Sequence, residues 1–132
     1  MPRFVILRHQ MPPQSSRPDH WDLMLEDGSH LLTWALPAVP LVGEQFWALP
    51  LAEHRLEYLD YEGPLTGDRG SVTRHDWGSY KQLSDDDQQQ VFMLRGQYMS
   101  GRVTIGKITK NAGEVELRIE PESCDSRSSP DR

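Results

Sequence analysis

With 132 residues, 36% hydrophobic side chains and a mean hydropathy of −0.65, the chain can build one hydrophobic core but not two. No apolar run approaches the roughly 18 residues that span a bilayer, Met1-Pro2-Arg3-Phe4 lacks a signal-peptide layout, and a single cysteine, Cys124, excludes an intramolecular disulfide framework; a cytoplasmic location and no membrane partner are expected. A formal net charge of −6 argues against a broad nucleic-acid footprint, yet Arg3, Arg8 and Arg17 face only one acid, Asp19, in the opening stretch, which leaves room for a small site there.

The apolar run at 4–7, Phe-Val-Ile-Leu, predicts a first strand ending near Arg8-His9. Residues 10–19 carry Pro12, Pro13 and Pro18 and predict a loop. Residues 20–26 alternate as a strand does, so His20, Asp22, Met24 and Glu26 share one face and Trp21, Leu23 and Leu25 the other. Asp27-Gly28 predicts a tight turn, with residues 31–36 as the hairpin partner, stopped by Pro37. Residues 45–49 predict another strand, which Pro50 ends or marks as an edge. Residues 52–61 fit one helical turn or an irregular extended segment equally. Gly63, Gly67 and Gly70 predict a loop, residues 71–76 a strand, and Trp77-Gly78 a bend.

Ser84 before Asp85-Asp86-Asp87 has the form of a capping box and predicts a short helix. Residues 91–94 predict a strand, and residues 103–108 with 114–119 a last hairpin turning at Asn111-Ala112-Gly113. From Pro121 the composition predicts a disordered polar tail. About eight short strands, ten glycines and ten prolines predict an all-β domain over 1–120, a compact closed or partly open barrel with little helix, followed by the tail 121–132.

His20 and Asp22 are the first candidates for chemistry. An imidazole and a carboxylate two apart on a strand form half of a divalent-metal site, and the same pattern also describes a solvated strand face. What separates the two readings is a third ligand, for which His9 is the natural candidate. Two imidazoles and a carboxylate suit Mn²⁺, Zn²⁺ or Fe²⁺ and leave coordination positions open. His54 is either a loop histidine without a role or part of this cluster, and His30 and His75 are expected to be exposed. The glycines at 63, 67 and 70 lack the Lys-Ser/Thr of a P-loop and are expected only to turn the chain.

Taken in order, Phe4-Val5-Ile6-Leu7-Arg8-His9, His20-Trp21-Asp22-Leu23-Met24-Leu25-Glu26-Asp27-Gly28, Leu32-Thr33-Trp34-Ala35-Leu36-Pro37, Glu53-His54-Arg55-Leu56-Glu57-Tyr58, Asp76-Trp77-Gly78-Ser79-Tyr80 and Leu94-Arg95-Gly96 resemble the 3′-phosphoesterase domain of bacterial DNA ligase D. The resemblance implies a β-barrel that uses a divalent metal, typically manganese, to remove a 3′-terminal ribonucleoside and then the exposed 3′-phosphate in DNA end repair. It implies His9, His20 and Asp22 as metal ligands, with His54 and Tyr58 beside the scissile phosphate as acid and hydrogen-bond donor. It implies nucleic-acid 3′ ends as partners; with the chain expected to stand alone, a separate ligase or polymerase is a further expected partner.

Two features depart from the family. Met24 stands where the family carries a phosphate-binding arginine, and the loop between His9 and His20 is longer and carries Arg17. Arg17 and Arg69 are therefore the candidates to bind phosphate in its place. Three functions follow: a metal-dependent phosphoesterase, a catalytically weak accessory that binds metal and nucleic-acid ends, or a structural barrel with an incidental polar cluster.

Overall fold

The computed structural model describes residues 1–110 and 112–122. In chain order the elements are β1 (Arg3–Gln10), β2 (His20–Asp27), β3 (His30–Leu36), β4 (Gln45–Arg55), a single 3-10 turn (Leu56–Leu59), β5 (Gly63–Pro64), β6 (Ser71–Asp85), β7 (Gln89–Gly96), β8 (Ser100–Gly106) and β9 (Val115–Glu120). Antiparallel pairing runs β1-β2-β3-β4-β9-β8-β7-β6, and β6 returns to β1, so eight strands close into a barrel with β5 outside it on β6. No α-helix occurs among the described residues, and no helix is long and apolar enough to cross a membrane.

Alternation along each strand fills the interior. Phe4 and Ile6 of β1, Leu23 and Leu25 of β2, Trp34, Leu36, Phe46, Phe92, Val103 and Leu117 meet in the main core. The opposite face of β1 and β2 is not solvated either. Val5, Leu7, Met24, Leu31 and Val72 project outward, and the segment after β4 folds back over them with Leu59 as its anchor. Burying a leucine of this kind stabilises the docking by about 1.5–3 kcal/mol relative to leaving it in water. Polar ties hold the same segment: Arg3 pairs with Asp60 at 2.6 Å, the Arg74 N–H donates to Glu62 Oε2 at 2.7 Å, and Gln14 donates to Asp68 at 2.6 Å. A second layer thus covers one patch of the barrel wall.

Several local expectations are corrected. Trp77-Gly78 is no bend, because β6 runs continuously through it. Gly78 is required for a different reason: a Cβ there would collide with the Arg95 carbonyl of β7. The Ser84–Asp87 helix is absent. β6 extends to Asp85, and the Asp86 carboxylate accepts the N–H groups of Gln88 and Gln89 at 2.8 and 3.0 Å, turning the chain into β7. An aspartate that caps a helix caps a turn by the same hydrogen bonds.

Pro50 marks an edge, for β4 continues past it to Arg55 while pairing with β9 only over 45–48. Both readings of 52–61 hold in sequence, strand to Arg55 and then the 3-10 turn. His30 and His75 are half-buried rather than exposed, His30 lying 2.9 Å from Glu53. The last hairpin closes with a Lys110–Glu114 bridge and positive φ at Ala112 and Gly113; Asn111, Cys124 and the expected tail beyond residue 122 lie outside the described residues.

Candidate metal centre and its cleft

The β1–β2 register sets His9 opposite His20 and Leu7 opposite Asp22. Because the strands alternate, His9, His20 and Asp22 all emerge on the outer face, beneath the covering layer. Their ligand atoms lie within 4.8 Å of one another. His9 Nδ1 is 3.4 Å from Asp22 Oδ2, and His20 Nε2 is 3.4 Å from Asp22 Oδ1. The expected convergence of the three residues is met.

Backbone carbonyls orient both imidazoles. His9 Nε2–H donates to the Arg69 carbonyl at 2.7 Å, and His20 Nδ1–H to the Pro18 carbonyl at 3.2 Å. Those bonds leave His9 Nδ1 and His20 Nε2 turned to a buried carboxylate, where each nitrogen takes either a proton or a metal ion. Asp22 Oδ1 has no hydrogen-bond partner among the described residues, although Asp22 is only 4% exposed. Three potential ligand groups around one point, with an orphaned buried oxygen, could hold a cation. The anchoring of each outer ring nitrogen on a carbonyl is the usual support of a metal-binding histidine. The residues therefore fit a divalent metal of the Mn²⁺, Zn²⁺ or Fe²⁺ type.

The electrostatics agree. Burial opposes charge on Asp22, but the His20 and His9 imidazoles outweigh it and hold the carboxyl below its ordinary range. The Asp22 carboxylate raises the His9 pKa, burial opposes the rise, and the Arg69 carbonyl adds to it. The site draws positive charge to itself.

Local folding explains how Arg17 and Arg69 arrive. In the loop after β1, Asp19 accepts the Met11 N–H at 2.7 Å, Ser15 N–H donates to the Pro12 carbonyl at 3.0 Å, and Ser15 Oγ accepts the Arg17 N–H at 3.0 Å. The folded loop sets Arg17 Nη2 3.4 Å from His20 Nε2. Gly70, at φ +86°, lies so close to Gln10 that a Cβ would strike its carbonyl, and this approach brings the Arg69 carbonyl onto His9. The Arg69 guanidinium is turned to Thr66, donating to its carbonyl at 2.7 Å and its hydroxyl at 3.1 Å.

His54 and Tyr58 reach the same place as β4 turns into the 3-10 segment. With His9, Asp22, Met24 and Arg69 they line a cleft of about 50 Å³. His54 Nδ1–H donates to the Ala52 carbonyl at 2.8 Å, which leaves Nε2 unbound by that contact, and its ring meets Tyr58 edge-on at 5.6 Å. Met24 is 2% exposed and packs in the outer apolar cluster. The strand face that holds His20 and Asp22 thus continues into hydrocarbon.

A family profile of the DNA ligase D 3′-phosphoesterase domain matches residues 11–117. The chain belongs to that family. No curated protein matches it. The matched span contains His20, Asp22, His54 and Tyr58 together with Arg17 and Arg69, while His9 lies just upstream and joins the group through the strand register. In this 3′-phosphoesterase-family barrel the sequence reading missed the Pro18 and Arg69 carbonyls, since backbone acceptors leave no mark in residue type. The proline at 18 and the glycine at 70 are the available signals, and in the sequence each reads as loop punctuation alone.

Proposed function

We propose that the protein is a metal-dependent 3′-phosphoesterase acting on nucleic-acid 3′ ends, removing a terminal ribonucleoside and then the 3′-phosphate left behind. One observation carries the metal dependence: two imidazole nitrogens, fixed by backbone carbonyls, face a buried aspartate whose Oδ1 is otherwise unpartnered. Family membership supports the reaction class. A divalent metal held by His9, His20 and Asp22 would supply Lewis-acid stabilisation of negative charge on the phosphate.

The chain's own residues do the rest. In the first step water attacks phosphorus and the bond to the 5′-oxygen of the terminal nucleoside breaks. His54, anchored through Nδ1–H, carries a proton on Nε2 to that departing oxygen. Tyr58 donates its hydroxyl to a non-bridging oxygen as charge builds. Arg17, whose Nη2 lies 3.4 Å from His20 Nε2, supplies the guanidinium that Met24 cannot, turning from the imidazole to the phosphate once the metal is held. In the second step the same groups act on the 3′-phosphate, and the departing oxygen is the 3′-oxygen of the primer.

A second reading rests on Met24, whose burial leaves no cation on the strand face where the family has its arginine. On that reading the domain holds metal and 3′ ends without turnover. A gel assay with Mn²⁺ on a primer ending in one ribonucleoside separates the two. Stepwise conversion to a 3′-phosphate and then a 3′-hydroxyl supports the phosphoesterase; an unchanged primer with metal bound supports the binding module.

A further inference from the structure

The cleft, at about 50 Å³, is tighter than two neighbouring concavities of about 240 Å³ each, and those two differ in character.

On one side Tyr58 and Arg69 pass from the cleft into a groove that also holds Arg55 and Tyr61. Arg55 is paired there with Glu57 at 3.2 Å. On the other side His20 and Arg17 border a shelf of about 240 Å³ whose floor is Ala35, Leu36, Pro37, Trp47 and Leu49, with Glu114 at its rim. Trp47 and Leu49 are 38% and 37% exposed. They are the outward positions of β4, whose inward neighbours Phe46 and Ala48 are in the core. An indole exposed on a rigid strand beside a guanidinium is the composition of a base-stacking platform.

We infer that this shelf receives the base of the 3′-terminal nucleoside, stacked on Trp47, and that the body of the strand leaves along the Arg55–Arg69 groove. The inference rests on the phosphoesterase reading and adds the polarity of the bound strand. Charge decides the direction. The strand body carries a phosphate at every step and belongs with the groove, where Arg55 and Arg69 outnumber the one carboxylate of Glu57, whereas the terminal nucleoside carries none beyond the scissile group. Its base and sugar suit an apolar floor, and the Glu114 carboxylate disfavours a phosphate there. Continuity fixes the place, because His20 belongs at once to the shelf and to the metal triad.

The test needs binding alone. Fluorescence anisotropy is measured on the full chain with Mn²⁺ for two primer–template duplexes, one primer ending in a ribonucleoside and the other in an abasic ribose at the same position, each with a methylene in place of the scissile 5′-oxygen so that neither is cleaved. Wild type should favour the base-ended primer by about tenfold, the lower range of one stacking contact. Trp47→Ala should bring that ratio close to one, and Trp47→Phe should keep most of it. A ratio unchanged in Trp47→Ala, or no preference in wild type, overturns the inference. Because the ratio is internal to each protein, a general loss of affinity does not imitate the effect. A tenfold ratio in a protein that hydrolyses nothing leaves the shelf standing and removes the phosphoesterase reading; hydrolysis without the ratio does the reverse.

Discussion

Met24 and Arg17 pose the sharpest question at the scale of single residues. Met24 lies at the apolar end of the site strand, packed with Leu31, Leu59 and Val72, and Arg17 reaches to 3.4 Å from His20 from a loop. If Arg17 supplies the cation for the phosphate, Arg17→Ala should slow 3′-phosphate removal by about 30- to 1000-fold, equivalent to roughly 2–4 kcal/mol of lost charge stabilisation. Arg69→Ala should cost far less, since its guanidinium is spent on Thr66. Met24→Arg should not rescue activity. It would force a guanidinium among buried hydrocarbon and lower stability by about 2–4 kcal/mol, read by urea unfolding. A faster Met24→Arg enzyme of normal stability would show that Arg17 had not taken over. His54→Ala should keep Mn²⁺ affinity but lose roughly 100-fold or more in turnover; weaker metal binding in that variant would make His54 a ligand instead.

At the scale of elements, the strands with clean alternation were legible and their joints were not. His20 to Glu26 declares its two faces residue by residue, so the shared face of His20 and Asp22 is legible without the fold. The joints failed where one residue type serves two geometries. Gly78 reads as a bend but permits β6 and β7 to touch, and Asp86 reads as a helix cap but closes a hairpin. Asp76 is the clearest case. It is 1% exposed and accepts the N–H groups of Gln97 and Met99 at 2.7 and 2.9 Å, with Trp77 and Tyr98 at 2.8 and 3.2 Å. A lone acid in a strand gives no sign that the loop between β7 and β8 is tied to it. Asp76→Ala should destabilise the fold by roughly 2–4 kcal/mol, because it leaves those donors without their acceptor. Urea midpoints shifted by less than about 1 kcal/mol would mean that water replaces the carboxylate.

At the scale of the whole molecule, closure of eight strands leaves an open edge on β4 beyond residue 48, and the second layer over β1 and β2 makes the candidate metal site part of the packing. The barrel class was legible from strand number and spacing, but the covering layer was not, since residues 56–70 gain their apolar role only from what lies beneath them. Coupling of site and fold has a consequence for stability. A metal that binds only the folded chain should add about 2.7 kcal/mol at roughly a hundredfold excess over its Kd, raising Tm by several degrees, and a chelator should return Tm to its starting value.

The central claim is that His9, His20 and Asp22 form one metal site, and calorimetric titration of Mn²⁺ tests it most directly. Wild type should bind a single ion per chain. His20→Ala removes one ligand, and with it the nitrogen that faces Asp22 Oδ1 at 3.4 Å. Its affinity should fall by about 100-fold or more, at least the loss that even an outer support of a metal ligand brings. Equal Mn²⁺ affinity in wild type and His20→Ala would contradict the account.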